Sequence, residues 1–266
     1  MNKKPVDLTY LKFNSKRYSQ NLYGCYLKSY EMKDRKKIYY KMSNYDSYRL
    51  VFGYESINEY IVSRLLDCLD IEHLVYNLVY ARVKVDNNEF ETYLCASREF
   101  KKNTERKEAF DSYYEINKHG NESPVEFIKR IGFEDYLFKM FFIDYIIFNR
   151  DRHGANVEVL IDRNNHLRLS PYFDNGMSLL LSDYNNQSYV KSYDIYKSEP
   201  ANNFFGTRST FENLKFIKNK SIITKDKLSD IDFQYIFGDL IDIIPKYTMK
   251  KIKLFLKERL RVWRNL

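Results

Sequence analysis

Two short polar runs decide how this chain is read: Asn149, Arg150, Asp151, Arg152, His153, Gly154, Ala155, Asn156 and, eighteen residues after Asn156, Asp174 within Pro171, Tyr172, Phe173, Asp174, Asn175, Gly176. Asp151 and Asn156 have the Asp-x4-Asn spacing of a kinase catalytic loop. Phosphoryl transfer asks little covalent chemistry of a protein. It needs a carboxylate to receive the hydroxyl proton, oxygen ligands for Mg²⁺ and cations on the phosphates. Magnesium is a hard ion that prefers oxygen donors, and Asn156 and Asp174 supply them at the two ends of one hairpin. Asp151 is then free to act as the base, and His153 stands where it can touch the transferred phosphate. The plainer alternative is that Asp151 and Asn156 only cap a turn, a common task for these residues.

Outward from this run, the pattern sets the surrounding elements. A hairpin is predicted at Val157 to Ile161 and Leu167 to Leu169, turning at Asn164 and Asn165. Upstream, Phe133 to Phe148 is apolar on nearly all sides, as expected of a helix in the middle of a lobe. Before it, Ser123, Pro124 and Glu126 make a capping box with proline at the first helical position, and Gly132 ends that helix. From Arg98 to Asn121 the chain is strongly polar and reads as a boundary or linker.

The amino-terminal part is mostly sheet. Strands are predicted from Leu22 to Lys28 and Lys37 to Met42, turning at Asp34 and Arg35, and again from Leu74 to Val85 and Glu89 to Leu94, turning at Asp86 to Asn88. Between the pairs, Ile57, Tyr60, Ile61, Leu65, Leu66 and Leu69 recur at helical spacing, so residues 55 to 69 are predicted as an amphipathic helix. In a kinase scheme a strand lysine contacts the nucleotide phosphates and pairs with a glutamate on the next helix. Lys41 and Glu59 are the candidates, with Lys37 and Glu55 as alternates.

Composition removes competing classes. The 266 residues carry 44 Lys+Arg against 36 Asp+Glu, a net charge of +8, and 44% are hydrophobic, so the chain can bury a sizeable core. Cys25, Cys68 and Cys95 form no CxxC pair and suit neither a disulfide scaffold nor a zinc site, which points to a reducing, cytoplasmic compartment. The eight glycines never fall into GxGxxG or GxxxxGK[ST], and HExxH and GxSxG are missing. The start of the chain lacks the apolar run of a secretory peptide, and the most apolar stretch, Tyr136 to Phe148, is too short and too charged to span a bilayer. The last 21 residues hold eight Lys+Arg and one Glu, a local charge of +7. The preferred reading is the solvent face of a terminal helix anchored by Ile252, Phe255, Leu256 and Trp263, with a nucleic-acid or anionic-surface contact as the lesser alternative.

Lys41, Glu59, Asp151, His153, Asn156 and Asp174, in this order, resemble the HipA-like serine/threonine kinases and their compact single-chain bacterial relatives. The resemblance covers roughly residues 20 to 200. It implies an α+β, bilobal protein-kinase-like fold, with an antiparallel-sheet lobe and one helix over residues 1–97 and a mainly helical lobe over 98–266. It also implies ATP and Mg²⁺ as cofactors. Lys41 would bind the phosphates with Glu59 orienting it, Asp151 would be the base, Asn156 and Asp174 the metal ligands, and Cys95, Ala96 and Ser97 the hinge against adenine. A protein substrate with a Ser or Thr acceptor, an antitoxin or other regulator, and a toxin- or effector-like role that includes delivery to a host cell belong to the same implication. The chain departs from the pattern in two ways. Only Gly24 stands in the loop before Lys41, where Ser15 or Ser19 would be autophosphorylation candidates, and the chain is much shorter than full-length toxin kinases.

Two further functions fit the same residues. One is a lipid or small-molecule kinase: Asp-Arg-His-x-x-Asn also resembles the catalytic loop of phosphoinositide kinases, whose anionic substrates would suit the basic terminal helix. A kinase fold used only for binding, with the basic tail on nucleic acid, would instead give salt-sensitive association and no ATP binding.

Overall fold

Asp34 and Arg35 both adopt positive φ, 51° and 59°, and this pair makes the tight turn from which the first lobe grows. The structure is a computed structural model that describes residues 4–13, 27–46, 51–180, 183–220, 223, 228 and 231–266. After a short strand β1 (Val6–Asp7), the turn joins β2 (Lys28–Lys33) to β3 (Lys36–Met42) in a register that pairs Lys28 with Lys41 and Lys33 with Lys36. The first strand therefore lies later than the predicted Leu22 to Lys28, of which residues 22–26 fall outside the described residues. A two-residue turn carries pairing right up to Lys33. The Lys-Ser-Tyr-Glu-Met-Lys sequence hides this because the strand sits at the sheet edge with both faces accessible.

A small pair, β4 (Tyr45–Asp46) with β5 (Val51–Phe52), leads into helix α1 (Glu55–Cys68). The chain then returns through β6 (Asn77–Val85) and β7 (Asn88–Arg98), turning at Asp86, which has φ 53°. The sheet order is β1-β6-β7-β3-β2, antiparallel except that β1 lies parallel to β6. One face closes over Met42, Ala81, Val83 and Leu94, with Leu8, Leu11 and Phe13 beneath.

The polar stretch from Arg98 to Asn121 contains more order than its composition suggests. It holds β8 (Arg106–Ala109) and α2 (Phe110–Asn117). In β8 the hydrogen bonds to a neighbouring strand, not apolar alternation, make the strand: it pairs with Glu158–Ile161. In α2 only Phe110 and Tyr114 are buried, so four residues of spacing carry its whole hydrophobic signal.

Helix α3 (Pro124–Arg130) has the predicted capping box: Ser123 Oγ accepts from the Glu126 backbone, and Glu126 accepts from the Ser123 backbone. Gly132 follows at φ 88°. Helix α4 (Glu134–Ile147) is buried on nearly every side, Asp144 included, and Phe148 in the left-handed region breaks it and turns the chain into β9 (Asp151–Arg152). A 3-10 turn at Gly154–Asn156 leads to the hairpin β10 (Glu158–Ile161) and β11 (Leu167–Leu169), turning at Asn165. Helix α5 (Gln187–Ser192), β12 (Asn202–Asn203), helix α6 (Phe233–Phe237) and the long terminal helix α7 (Lys246–Asn265) complete the second lobe. Ile252, Phe255, Leu256 and Trp263 are buried as predicted, and Trp263 packs on Phe142 of α4. Helix α1 is also part of this second core, through Ile57, Ile61, Leu65 and Leu66.

Candidate active site

Lys41 lies on β3 with its Nζ buried between two carboxylates. It donates to Glu59 of α1 at 3.0 Å and to Asp174. The pairing is the one the sequence favours. Of the alternates, Lys37 lies over the Tyr30 ring and the Glu55 carboxylate accepts from the Asn44 backbone. Burial disfavours the charge on Lys41, but Asp174 and Glu59 outweigh it and raise its pKa well above the ordinary value. Burial likewise opposes ionisation of Asp174, yet Lys41, Lys28 and His153 hold its carboxyl down at about 2. Glu59 is pushed the other way, its pKa raised by burial against the pull of Lys41.

Asp174 sits at φ 59° in a turn gripped from both sides. From below, Arg152 donates to the carbonyl of Phe173 (3.0 Å) and to Asn175 Oδ1 (2.7 Å), the two neighbours of Asp174, while pairing with buried Asp144 at 2.7 Å. From above, Glu59 accepts from the Asn175 backbone at 2.9 Å, and Asn58 Nδ2 donates to the carbonyls of Gly176 and Ser178. Gly176 permits this approach, since a Cβ there would lie 3.0 Å from the Glu55 Cβ and 3.2 Å from its carbonyl. Asp144, Arg152, Asn58 and Asn175 were not singled out by sequence. One signal was available for two of them: a carboxylate inside an otherwise apolar helix needs a buried cation, and Arg152 stands eight residues on.

The run from Asn149 to Asn156 is ordered by its own polar atoms. Asn149 Oδ1 accepts from the Asp151 backbone at 3.1 Å, and Asn156 Nδ2 donates to the Asp151 carbonyl at 2.8 Å. The Asp151 carboxylate stays partly exposed. It accepts from Asn202 Nδ2 at 2.7 Å and lies 4.0 Å from His153 Nε2. β9 and β12 run side by side, so Asn202 stands opposite Asp151 in register, a partner that 51 residues of separation conceal in sequence. Asn156 enters the β10–β11 hairpin and Asp174 leaves it. The pairing of Val159 with Leu169 returns the chain to the end where Asn156 lies.

Lys41 and Asp174 form the polar end of a cavity of 230 Å³ with apolar walls from Leu74, Tyr76, Phe100 and Phe173. Apolar walls with a few convergent charges are the usual form of a small-molecule site. Ser97 lines it, followed by Arg98, Glu99 and Phe100. Cys95 and Ala96 do not: the Cys95 thiol is buried against the Lys41 carbonyl at 3.6 Å, and Ala96 faces the core of the sheet. Lys28, in register with Lys41 on the next strand, adds a further cation to the cavity, as do Arg98 and Lys107. A larger cavity of 900 Å³ lies elsewhere, between Tyr80 and Tyr93 of the sheet and the Gly238–Ile243 segment, and contains none of these residues.

The donor set suits Mg²⁺. Lys41 engages one oxygen of an ionised Asp174 and leaves the other, while Asn156, with its Nδ2 committed to Asp151, has Oδ1 to offer. No group of three or more His, Cys, Asp or Glu able to hold a metal occurs among the described residues. Two protein oxygens accord with Mg²⁺, which keeps waters and substrate phosphates as its remaining ligands.

No protein-family model matches the chain, and no curated protein matches it by sequence. Solved structures do. The proinflammatory kinase CtkA of Helicobacter pylori superposes with a TM-score of 0.65 at 17% identity, over 98% of this chain and 97% of that one. The chain has the HipA-like kinase fold. HipA of Shewanella oneidensis MR-1, solved as a toxin–antitoxin system with HipB and operator DNA, aligns at a TM-score of 0.50 and 13% identity over 93% of this chain and 66% of its own. The α+β, two-core architecture expected from sequence is thus that of HipA-like kinases, and Lys41, Glu59 and Asp174 meet where its sheet and helical parts join. No helix among the described residues is long and apolar enough to cross a membrane.

Proposed function

We propose that this chain is a kinase that transfers the γ-phosphoryl group of ATP, with Mg²⁺, to a serine or threonine hydroxyl of a protein. The observation that carries the reading is Lys41 held between Glu59 and Asp174 at one end of a cavity that Leu74, Tyr76, Phe100 and Phe173 also line. A buried cation fixed by two carboxylates is costly to assemble, and it is the arrangement that positions a phosphate-binding lysine. The base would lie against Leu74, Tyr76, Phe100 and Phe173, bounded by the strand end from Ser97 to Phe100 instead of Cys95 to Ser97. Lys41 and Lys28 would meet the phosphates. Asn156 and Asp174 would hold Mg²⁺, which when bound neutralises charge on the phosphate oxygens.

Asp151 would accept the proton of the attacking hydroxyl. Asn202 orients its carboxylate, and partial exposure lets a substrate reach it. His153, 4.0 Å from the Asp151 carboxylate, would contact the transferred group. Because the similar structures are a proinflammatory kinase and a toxin paired with an antitoxin, an effector- or toxin-like role in a cytoplasm, under a protein regulator, is part of the proposal.

Labelled ATP tests it. The purified chain should label itself or an added protein in the presence of Mg²⁺, and Asp151→Asn and Asp174→Ala should each lower the rate by about 10²-fold or more. Equal labelling by both variants would refute the reading.

A further inference from the structure

Arg259, on the terminal helix, is 7% exposed. Its guanidinium donates to the carbonyl of Tyr145 in the last turn of α4 at 2.7 Å and, at 3.3 Å, to that of Lys197. Its Nε is buried with no partner, and no carboxylate pairs with it among the described residues. The rings of Tyr145, Phe148 and Phe255 surround it at 4.6 to 5.0 Å. Burial pulls its pKa down to about 10, so it stays charged at neutral pH. The other buried arginine, Arg152, has its carboxylate in Asp144. Carbonyl and ring contacts explain why Arg259 can end helix α4, but they leave its charge without an anion.

Arg259 lines a cavity of 380 Å³ that is separate from the Lys41 site and whose wall carries the hydroxyl residues Ser198, Ser209 and Thr210. Glu212 and Glu258 also line it, but each has its own cation, Lys215 and Arg261. We propose that this cavity binds a phosphoryl group, presented by Ser198 once phosphorylated or by a free phosphate-bearing ligand. Ser198 is the carrier within the chain because it is exposed and directly follows Lys197, whose carbonyl already touches the Arg259 guanidinium. Ser209 is occupied in accepting from the Glu212 backbone, and Thr210 is buried. Phosphorylation of Ser198 requires a nucleoside triphosphate: the Oγ–P bond forms, the bond from the γ-phosphorus to the β,γ-bridging oxygen breaks, the diphosphate leaves with that electron pair, and the serine proton passes to a carboxylate base.

The cavity wall also adjoins the residues that precede Asp151. Phe148, which ends α4, stacks with Arg259 at 4.6 Å and with Arg150 at 4.3 Å, and Arg150 directly precedes Asp151. An anion that draws on Arg259 therefore acts on the residue at the base of that loop.

The test reads the arginine itself. In proton–nitrogen spectra of the full chain, the Arg259 Nε signal is assigned by its loss in Arg259→Lys or, should that variant not fold, by its contacts to the ring protons of Phe148 and Phe255. Inorganic phosphate, titrated against chloride at constant ionic strength, should shift this signal saturably and leave the signals of carboxylate-paired Arg152 and Arg168 in place. In a second arm phosphoserine is installed at position 198 during synthesis, so the result does not depend on the chain being a kinase. A shifted Arg259 signal without added phosphate assigns the site to Ser198, and a shift with free phosphate alone assigns it to a diffusible ligand. A signal unmoved in both arms overturns the proposal.

Discussion

At Lys41, burial and charge pull in opposite directions, and the two flanking carboxylates decide the outcome. Lys41→Met keeps the length and removes the charge, so the variant should fold but lose nucleotide-dependent labelling. Asp174 has the opposite balance. Its carboxyl is held at about 2 against an ordinary 3.8. A depressed folded pKa contributes stability that is present above the ordinary value and lost as pH falls through the folded one. Urea unfolding of the parent and Asp174→Asn should therefore differ by a constant amount above about pH 5, with the difference closing as pH falls through 3.8 toward about 2. A difference already gone at pH 5 would contradict the ion pair. Cys95 makes a third case: burial pushes its thiol up to about 12, so it should resist maleimide at pH 8 until the protein unfolds. Labelling of Cys95 in the native state, with protection by ATP, would return it to the hinge.

The Asp174 turn depends on elements that meet only in three dimensions. Removing one partner of a buried ion pair costs about 3–5 kcal/mol, so Asp144→Ala should lower stability by that order, because Arg152 is left charged and unpaired. Asn58→Ala strips a donor from two buried carbonyls and should cost about 1–3 kcal/mol while also slowing phosphoryl transfer, since Gly176 and Ser178 follow Asp174. By contrast Ser123→Ala, in a capping box far from the cavity, should cost about 1 kcal/mol and leave transfer unchanged. Denaturant unfolding with parallel rate measurements separates these effects. The same contrast marks what could be read from sequence. The capping box, helix α1, the Asp34–Arg35 and Asn165 turns and the apolar wrap of α4 are local signals, and each stands where the pattern puts it. Strand β8 was read as linker because it is held by pairing with β10 some fifty residues away. The Arg152–Asn175 and Asn202–Asp151 contacts were missed for the same reason: nothing within a helical turn or a strand period of either residue announces the partner. Of Cys95, Ala96 and Ser97 only Ser97 reaches the cavity, because β-sheet register, which sequence does not give, places Cys95 opposite Lys41 and lets the strand run on to Arg98.

On the scale of the whole molecule, two cores of unequal size divide the labour. The sheet closes on a small cluster around Met42 and Leu94, whereas α1 joins the large core of α4 and α7. Tyr60 and Arg64 of α1 bind Asp239, and Asp67 accepts from Tyr235, so the helix that carries Glu59 is fastened to the second lobe. Glu59 and Asp174 consequently stand beside the large core, and the sheet brings Lys41 to them. Trp263, the chain's single tryptophan, lies within that core against Phe142, and Trp263→Ala should cost about 3–5 kcal/mol. Apart from buried Arg259, the charge of the terminal helix stays outward while its apolar side is consumed by the core, which is the arrangement its sequence predicts. Calorimetric titration with ATP tests the meeting point of the two cores most directly. The account predicts Mg²⁺-dependent binding that weakens at least about tenfold in Lys41→Met and in Asp174→Asn, a loss of about 1.4 kcal/mol or more for each. Binding of equal strength in the parent and both variants, with or without Mg²⁺, would contradict it.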